Sequence, residues 1–328
     1  MMKISFYLLI GIASIQNVRA SFPNHTIEPE AHLAKRAYPM RPGGLRGLWP
    51  DAKITYCFEN DEASTKLGTV IPKAFDLWLA AGLNPAFKME PGKEEECNGE
   101  DADKTLLVKY NNQKKLSTTK GRITVRGMAG RSTTTLDPSD GFATGSGSAN
   151  VAHELGHAFG LGHEHQRPSL WTKDLGGRAR DGSEKLHFNC ENLADYASAQ
   201  AAGKDMGKLC TSADIARNNK FSAFDILADD DGVELSSDPV DWNSIMIYGS
   251  EAGGKEDGNG GRAVVITKKN GKTFGYNTVP SRKDINAVHT LYQESLPVPK
   301  KKSSTLFWKE GSSLRGLFNK HNKDTSCD

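Results

Sequence analysis

HELGHAFGLGHEHQR, residues 153–167, puts four of the chain's nine histidines within thirteen positions. On an α-helix, residues four apart share a face, so His153 and His157 present their imidazoles side by side. Glu154 stands about 100° further round the same helix, close enough to meet whatever the two rings hold without being part of the grip. Gly160 can take the left-handed conformation that ends a helix and turns the chain sharply, and that turn brings His163 back toward the same point. Three neutral imidazoles are a zinc set with one position left open, which is the catalytic arrangement; a structural site is closed by four protein ligands. The expectation is one zinc ion held by His153, His157 and His163, with Glu154 as general base toward a zinc-bound water.

The pattern is specific. From average composition, H-E-x-x-H arises by accident about once per hundred chains of this length, and Gly160 and His163 at their offsets make it roughly hundreds-fold rarer. His165 is expected to be an exposed side chain or one that supports the ligands from behind.

Working outward, apolar residues at helical spacing predict a helix from about Ser148 to Phe159 and another over Val70–Ala81, with Pro72 in its first turn and Gly82 at its end. KITYCF (53–58) alternates as a strand, AFKME (86–90) and TLLVKY (105–110) read as two more, and GRSTTTL (130–136) is β-tolerant. Beyond His163 the chain is irregular and glycine-rich for more than a hundred residues. It closes on a helix in SRKDINAVHTLYQE (281–294), begun by Ser281 or Asp284 and apolar at Ile285, Val288, Leu291 and Tyr292. The fold class is α+β.

Composition bounds the rest. A chain of 328 residues can bury a sizeable core, and a formal charge of +2 with both signs interspersed argues for no nucleic-acid partner. Residues 1–20 carry Lys3, an apolar run to about Ile15, and small residues at Val18 and Ala20, the pattern of a signal peptide rather than a membrane span. Residues 21–36 end on Lys35-Arg36, a dibasic pair of the kind secretory proteases cut, and read as a propeptide. The catalytic domain is expected over 37–296, its N-terminal subdomain reaching to about 163, followed by a basic, flexible tail over 297–328. Export permits disulfides. Of the five cysteines, the preferred pairs are Cys57–Cys97 and Cys190–Cys210, each closing a loop of moderate length, with other connectivities open and Cys327 left over.

These residues resemble the metzincin zinc peptidases, whose motif is H-E-x-x-H-x-x-G-x-x-H followed by a methionine-containing turn. Here the motif residues are His153, Glu154, His157, Gly160 and His163, and SIMIYGS (244–250) supplies the turn around Met246. Within that group the chain is similar to the astacin family, because Glu164 follows the third histidine and Ser244-Ile245-Met246-Ile247-Tyr248 matches S-x-M-x-Y. Leu161 looks more like matrixins. Weaker similarities run from about residue 46 to 293. The stretch between His163 and Met246 is longer than in typical members, and neither Pro85 nor Glu294 is the cysteine that members often carry there.

The resemblance implies a two-subdomain domain with a mixed twisted sheet, an active-site helix and a C-terminal helix. It implies a secreted, monomeric zinc endopeptidase acting on protein or peptide substrates, with no membrane partner. Glu154 and Tyr248 are its implied catalytic residues, Tyr248 stabilising the transition state or also ligating zinc, and Met246 packs beneath the histidines. It further implies that the amine freed by cleavage after Arg36 reaches Glu164. Substrate is expected to add a strand to the sheet along Arg131–Leu136, taken as its edge. The alternatives are a matrixin-like metalloendopeptidase and a secreted zinc-scaffold binding protein without catalysis.

Overall fold

Alternation in KITYCF buries Ile54 and Tyr56 on one side, and around this strand a sheet assembles. The computed structural model describes residues 38–124, 131–180, 182–232, 239–258 and 260–296. The expected signal peptide (1–20) and propeptide (21–36), Ala37, Gly130, and the tail (297–328) with Cys327 lie outside the described residues.

In chain order the elements are β1 (Arg46–Gly47), β2 (Lys53–Phe58), α1 (Asp61–Leu67), α2 (Val70–Ala80), β3 (Lys88–Pro91), α3 (Glu94–Asn98), β4 (Leu106–Tyr110), β5 (Ser117–Thr118), β6 (Arg122–Ile123) and β7 (Thr133–Leu136). Then come α4 (Gly147–Ala158), β8 (Leu186–Phe188), α5 (Tyr196–Ala201), α6 (Met206–Leu209), α7 (Ala213–Asn218), β9 (Ile266–Lys268) and α8 (Arg282–Leu291). The main sheet has the order β3-β2-β4-β7-β5, parallel except for β5, which runs antiparallel to β7. This is an α+β fold, the class expected from the sequence.

The helices expected over Val70–Ala81, Ser148–Phe159 and 281–294 are α2, α4 and α8. Ser281 caps α8 in a reciprocal box with Asp284, which satisfies backbone N–H groups at both positions. The sequence reading passed over α1, although it carried a signal: the Asn60 side chain accepts from the Ala63 N–H at 2.9 Å, and Asp61 and Glu62 occupy the first turn.

One expectation fails. Thr133–Leu136 is not the edge of the sheet, because β5 pairs with it, Ser117 opposite Thr135 and Thr118 opposite Thr134. The edge facing the cleft is Ser117–Thr118, two polar residues with no periodicity to mark them as a strand. Threonine side chains reinforce the pairing: the Thr118 and Thr134 hydroxyls lie 2.6 Å apart, and the Thr119 hydroxyl accepts from the Thr133 N–H at 3.1 Å.

Between sheet and helices lies one apolar core, with Ile54, Leu106, Val108 and Leu136 from the strands, Ile71 and Trp78 from α2, Val151 and Leu155 from α4, and Ile285 and Val288 from α8. Trp78 and Trp49 are fully enclosed and keep their indole N–H groups satisfied on α4 carbonyls, Ala152 at 2.9 Å and Ala158 at 2.8 Å. These bonds fix the height and rotation of α4 against the core. A second cluster, including Leu170, Trp171, Leu186, Leu193, Phe221, Leu227 and Ile266, forms in the stretch read as irregular. That stretch contains β8, β9 and three helices of four to six residues, too short for a 3.6-residue period to register. Cys57–Cys97 and Cys190–Cys210 are both disulfide-bonded.

Candidate metal centre and cleft

The helix α4 is buried along nearly its whole length, polar residues included. Two glycines make its chemistry possible. Gly160, at φ +103°, adopts the backbone that ends the helix and sends the chain back toward His163. Gly156 lies between the first two histidines, and a Cβ there would come within 2.3 Å of the Met246 sulfur. Met246 therefore packs directly on the helix between His153 and His157, and the Met246 carbonyl accepts the Glu164 N–H at 3.0 Å. The turn and the third histidine are locked together.

The ligand atoms offered by His153, His157 and His163 all lie within 4.8 Å of one another. Each ring is oriented through its far nitrogen. His153 Nδ1 meets the Ile245 carbonyl at 2.7 Å, His157 Nδ1 the Leu161 carbonyl at 2.8 Å, and His163 Nδ1 the Gln166 Oε1 at 2.7 Å. Carbonyl acceptors on Nδ1 place the proton there, which leaves the Nε2 lone pairs to converge. His157 Nε2 and His163 Nε2 stand 3.0 Å apart, two acceptors facing each other, which is a stable arrangement when a cation lies between them. Burial also favours the neutral form that binds metals: it lowers His153 to about 4 and, helped by mutual repulsion among the rings, takes His157 and His163 well below the ordinary imidazole value. The donor set fits a small divalent ion of borderline softness such as zinc.

Glu154 points into the same cleft, 4% exposed, and its Oε2 has no hydrogen-bond partner among the described residues. Burial raises its carboxyl to about 7, with the Thr118 hydroxyl pulling the other way. Tyr248 also lines the cleft, its ring 4.4 Å from the His163 ring and 5.9 Å from the His153 ring, centroid to centroid. Burial, and then the charges of Asp225 and Glu154, hold its phenol well above the usual value. Its hydroxyl makes no hydrogen bond among the described residues.

His165 proves to support the site from behind. It is fully buried, its ring stacks 5.1 Å from His163 and 4.6 Å from Tyr248, and its Nδ1 receives the Tyr248 N–H at 3.3 Å. Its Nε2 donates to the Asp225 carbonyl at 2.9 Å. Gln166, which sequence reasoning passed over, holds His163 and at the same time donates to the carbonyls of Phe224 and Leu227 at 3.0 and 3.1 Å. Glu164 is wholly buried, paired with Arg167 at 2.7 Å and accepting the Asp241 N–H at 2.8 Å, and its Oε2 has no partner among the described residues.

Fold and site together carry the features on which the resemblance to astacin-like metzincins rests: a mixed sheet, a histidine-bearing helix with H-E-x-x-H-x-x-G-x-x-H-E, and the S-x-M-x-Y turn packed on it. No family model matches the chain. It is similar to nematocyst expressed protein 6 of Nematostella vectensis, 25% identical over 202 residues that make up 60% of this chain and 62% of that protein, so the match spans less than two thirds of the relative's length. Among solved structures it is similar to high choriolytic enzyme 1, a hatching enzyme zinc-protease from the medaka fish Oryzias latipes, at 18% identity and a TM-score of 0.49 over 78% of this chain and 98% of that one. It is also similar to myroilysin, at 16% identity and a TM-score of 0.40 over 83% and 99% of the two chains.

Proposed function

We propose that this protein is a secreted zinc endopeptidase that hydrolyses peptide bonds in protein or peptide substrates. The observation that carries this reading is the convergence of three oriented imidazoles beside a buried carboxylate with an open oxygen. His153, His157 and His163 would hold the ion. Zinc, when bound, supplies Lewis-acid polarisation of the scissile carbonyl and of the attacking water.

The chain's own groups do the rest. Glu154 takes the proton of the attacking water on its unpartnered Oε2 and passes it to the leaving amine. The Tyr248 hydroxyl, kept protonated by burial, donates a hydrogen bond to the carbonyl oxygen as negative charge develops there, a contribution of about 3 kcal/mol in comparable sites. Substrate lies extended against Ser117–Thr118, whose outer edge faces the cleft, and adds a strand to the sheet.

Both disulfides fit an oxidising compartment, in keeping with an exported chain. Maturation by cleavage after Arg36 belongs to the same reading, with a metallopeptidase domain from Ala37 to about residue 296. Tyr38 and Met40 are buried, the Tyr38 hydroxyl donates to the Asp229 carbonyl, and Glu164 keeps one oxygen available to an amine.

The decisive experiment compares wild type and Glu154→Gln on an unfolded protein substrate, before and after chelation and with zinc content measured. Wild-type activity should vanish on chelation and return with zinc, and Glu154→Gln should retain zinc while losing about 10²- to 10⁴-fold in rate. Undiminished activity of zinc-loaded Glu154→Gln would overturn the mechanism.

A further inference from the structure

The wall of the cleft opposite the sheet edge is built by the long segment between His163 and Met246, and it carries a carboxyl that the peptidase mechanism does not use. We propose that Asp225 accepts the cationic head of a substrate lysine or arginine close to the scissile bond, so that this wall is a subsite selecting basic side chains. The inference rests on the peptidase reading and names the substrate class of that site.

Three observations lead to it. Asp225 lines the same cleft as Glu154, His157, His163 and Tyr248, yet is 8% exposed, and its carboxyl makes no hydrogen bond among the described residues. A carboxyl removed so far from water without a donor is unfavourable in its charged form, and burial raises it to about 8; a cation placed against it would draw it back to the carboxylate. Second, its backbone is fixed to the metal centre. His165 holds the Asp225 carbonyl and Gln166 the flanking carbonyls of Phe224 and Leu227, so the carboxyl is presented on a rigid support.

Third, the cations nearby are already engaged. Lys120 is paired with Asp229 and Asp231 at 3.0 and 2.9 Å. Arg217 binds Asp214 at 2.9 Å and lies 5.8 Å from the centre of the Phe224 ring. Arg217 also acts on the Asp225 carboxyl through its charge but forms no ion pair with it among the described residues. The carboxyl left without a hydrogen bond is Asp225, and Phe224 beside it offers an apolar surface for the methylene stem of a lysine or arginine.

The test uses the zinc-loaded secreted protein processed after Arg36 and quenched fluorescent peptides in which lysine, norleucine or glutamate is walked through three positions on each side of the scissile bond, with cleavage sites read by mass spectrometry. At one position lysine should exceed norleucine in kcat/KM by about tenfold or more. That ratio should fall to about one in Asp225→Asn and be largely restored in Asp225→Glu, with melting curves confirming that both variants fold. No lysine advantage at any position, or an advantage unchanged in Asp225→Asn, overturns the proposal. A glutamate preference abolished by Arg217→Gln overturns it as well, since the wall would then select the opposite charge.

If wild type cuts none of the peptides, it is the peptidase reading that has failed, and fluorescence anisotropy decides the subsite separately. Lysine peptides binding about tenfold tighter than norleucine peptides to wild type, and equally to Asp225→Asn, sustain it; equal binding to wild type overturns it.

Discussion

Above the cleft, Trp78, Ile54, Leu106, Val151 and Ile285 close one apolar core in which long helices lie on a sheet. Below it, Trp171, Leu193, Phe221 and Leu227 gather in a second core made from short helices and a two-stranded pair, crossed by the Cys190–Cys210 bond. The upper core draws its order from periodic side chains on regular backbone. The lower one depends on individual attachments: His165 and Gln166 on the carbonyls of residues 224–227, the Trp171 indole on the His165 carbonyl at 2.6 Å, and the Asp195 carboxylate on the Ser222 N–H and hydroxyl at 2.7 and 2.6 Å. The first kind of structure holds a helix at a set height. The second presents a cleft wall held in place by a few side-chain bonds to backbone.

The comparison predicts unequal responses to damage. The largest loss should follow Trp78→Ala, which empties an enclosed site between α2 and α4 beside Phe159 and removes the indole bond to Ala152: about 4 kcal/mol by denaturant unfolding, with zinc binding weakened because α4 loses its seat. Next is Cys190→Ala with Cys210→Ala. Opening a loop with a sequence separation of 20 should cost about 3 kcal/mol and loosen the lower wall, while zinc content stays at the wild-type level. A loss of zinc on removing this disulfide, with no change in peptide preference, would break the division between the halves.

The smallest effect concerns the joint between them. Asp284 on α8 is fully buried, and its carboxylate accepts from the Ser244 hydroxyl at 2.6 Å, the Ile245 N–H at 2.9 Å and the Ser281 N–H at 2.8 Å, which ties the C-terminal helix to the methionine turn. Burial raises its pKa to about 6, against the hydrogen bonds that lower it. Because the folded value lies above the ordinary 3.8, the native state binds more protons than the unfolded chain between about pH 4 and 6. The stability linked to this group is therefore full below about pH 4 and is lost as pH rises through about 6. Two pKa units bound the change at roughly 3 kcal/mol. In metal-free protein, the difference in unfolding free energy between wild type and Asp284→Asn should shift with pH across that window and be flat above it; a difference flat from pH 4 to 7 would show that the three donors cancel the cost of burial.

The sequence was most legible where one local rule set both backbone and chemistry. Histidines four apart, a glycine three residues on and Glu164 after the last histidine are readable because a helix and its terminating turn convert spacing directly into geometry. The capped helix α8 was readable for a similar reason, whereas the two disulfides match the preferred pairs but were fixed only by the fold, since the sequence left other connectivities open. The sheet edge was not: Ser117–Thr118 is a strand because β7 lies beside it, and nothing in two polar residues states that pairing. Asp225, sixty-two positions from His163 in the chain, reaches the cleft through the bonds that His165 and Gln166 make to its loop.

By itself, then, the sequence determined the helix α4, the three imidazoles it and its turn converge, and the carboxylate beside them, since all five motif residues lie within eleven consecutive positions. Tertiary structure alone decided which strand borders the cleft, what packs behind the three imidazoles and which carboxyl the lower wall presents. Those depend on contacts between distant segments, and such contacts follow from the shape of the whole packed chain rather than from any local period.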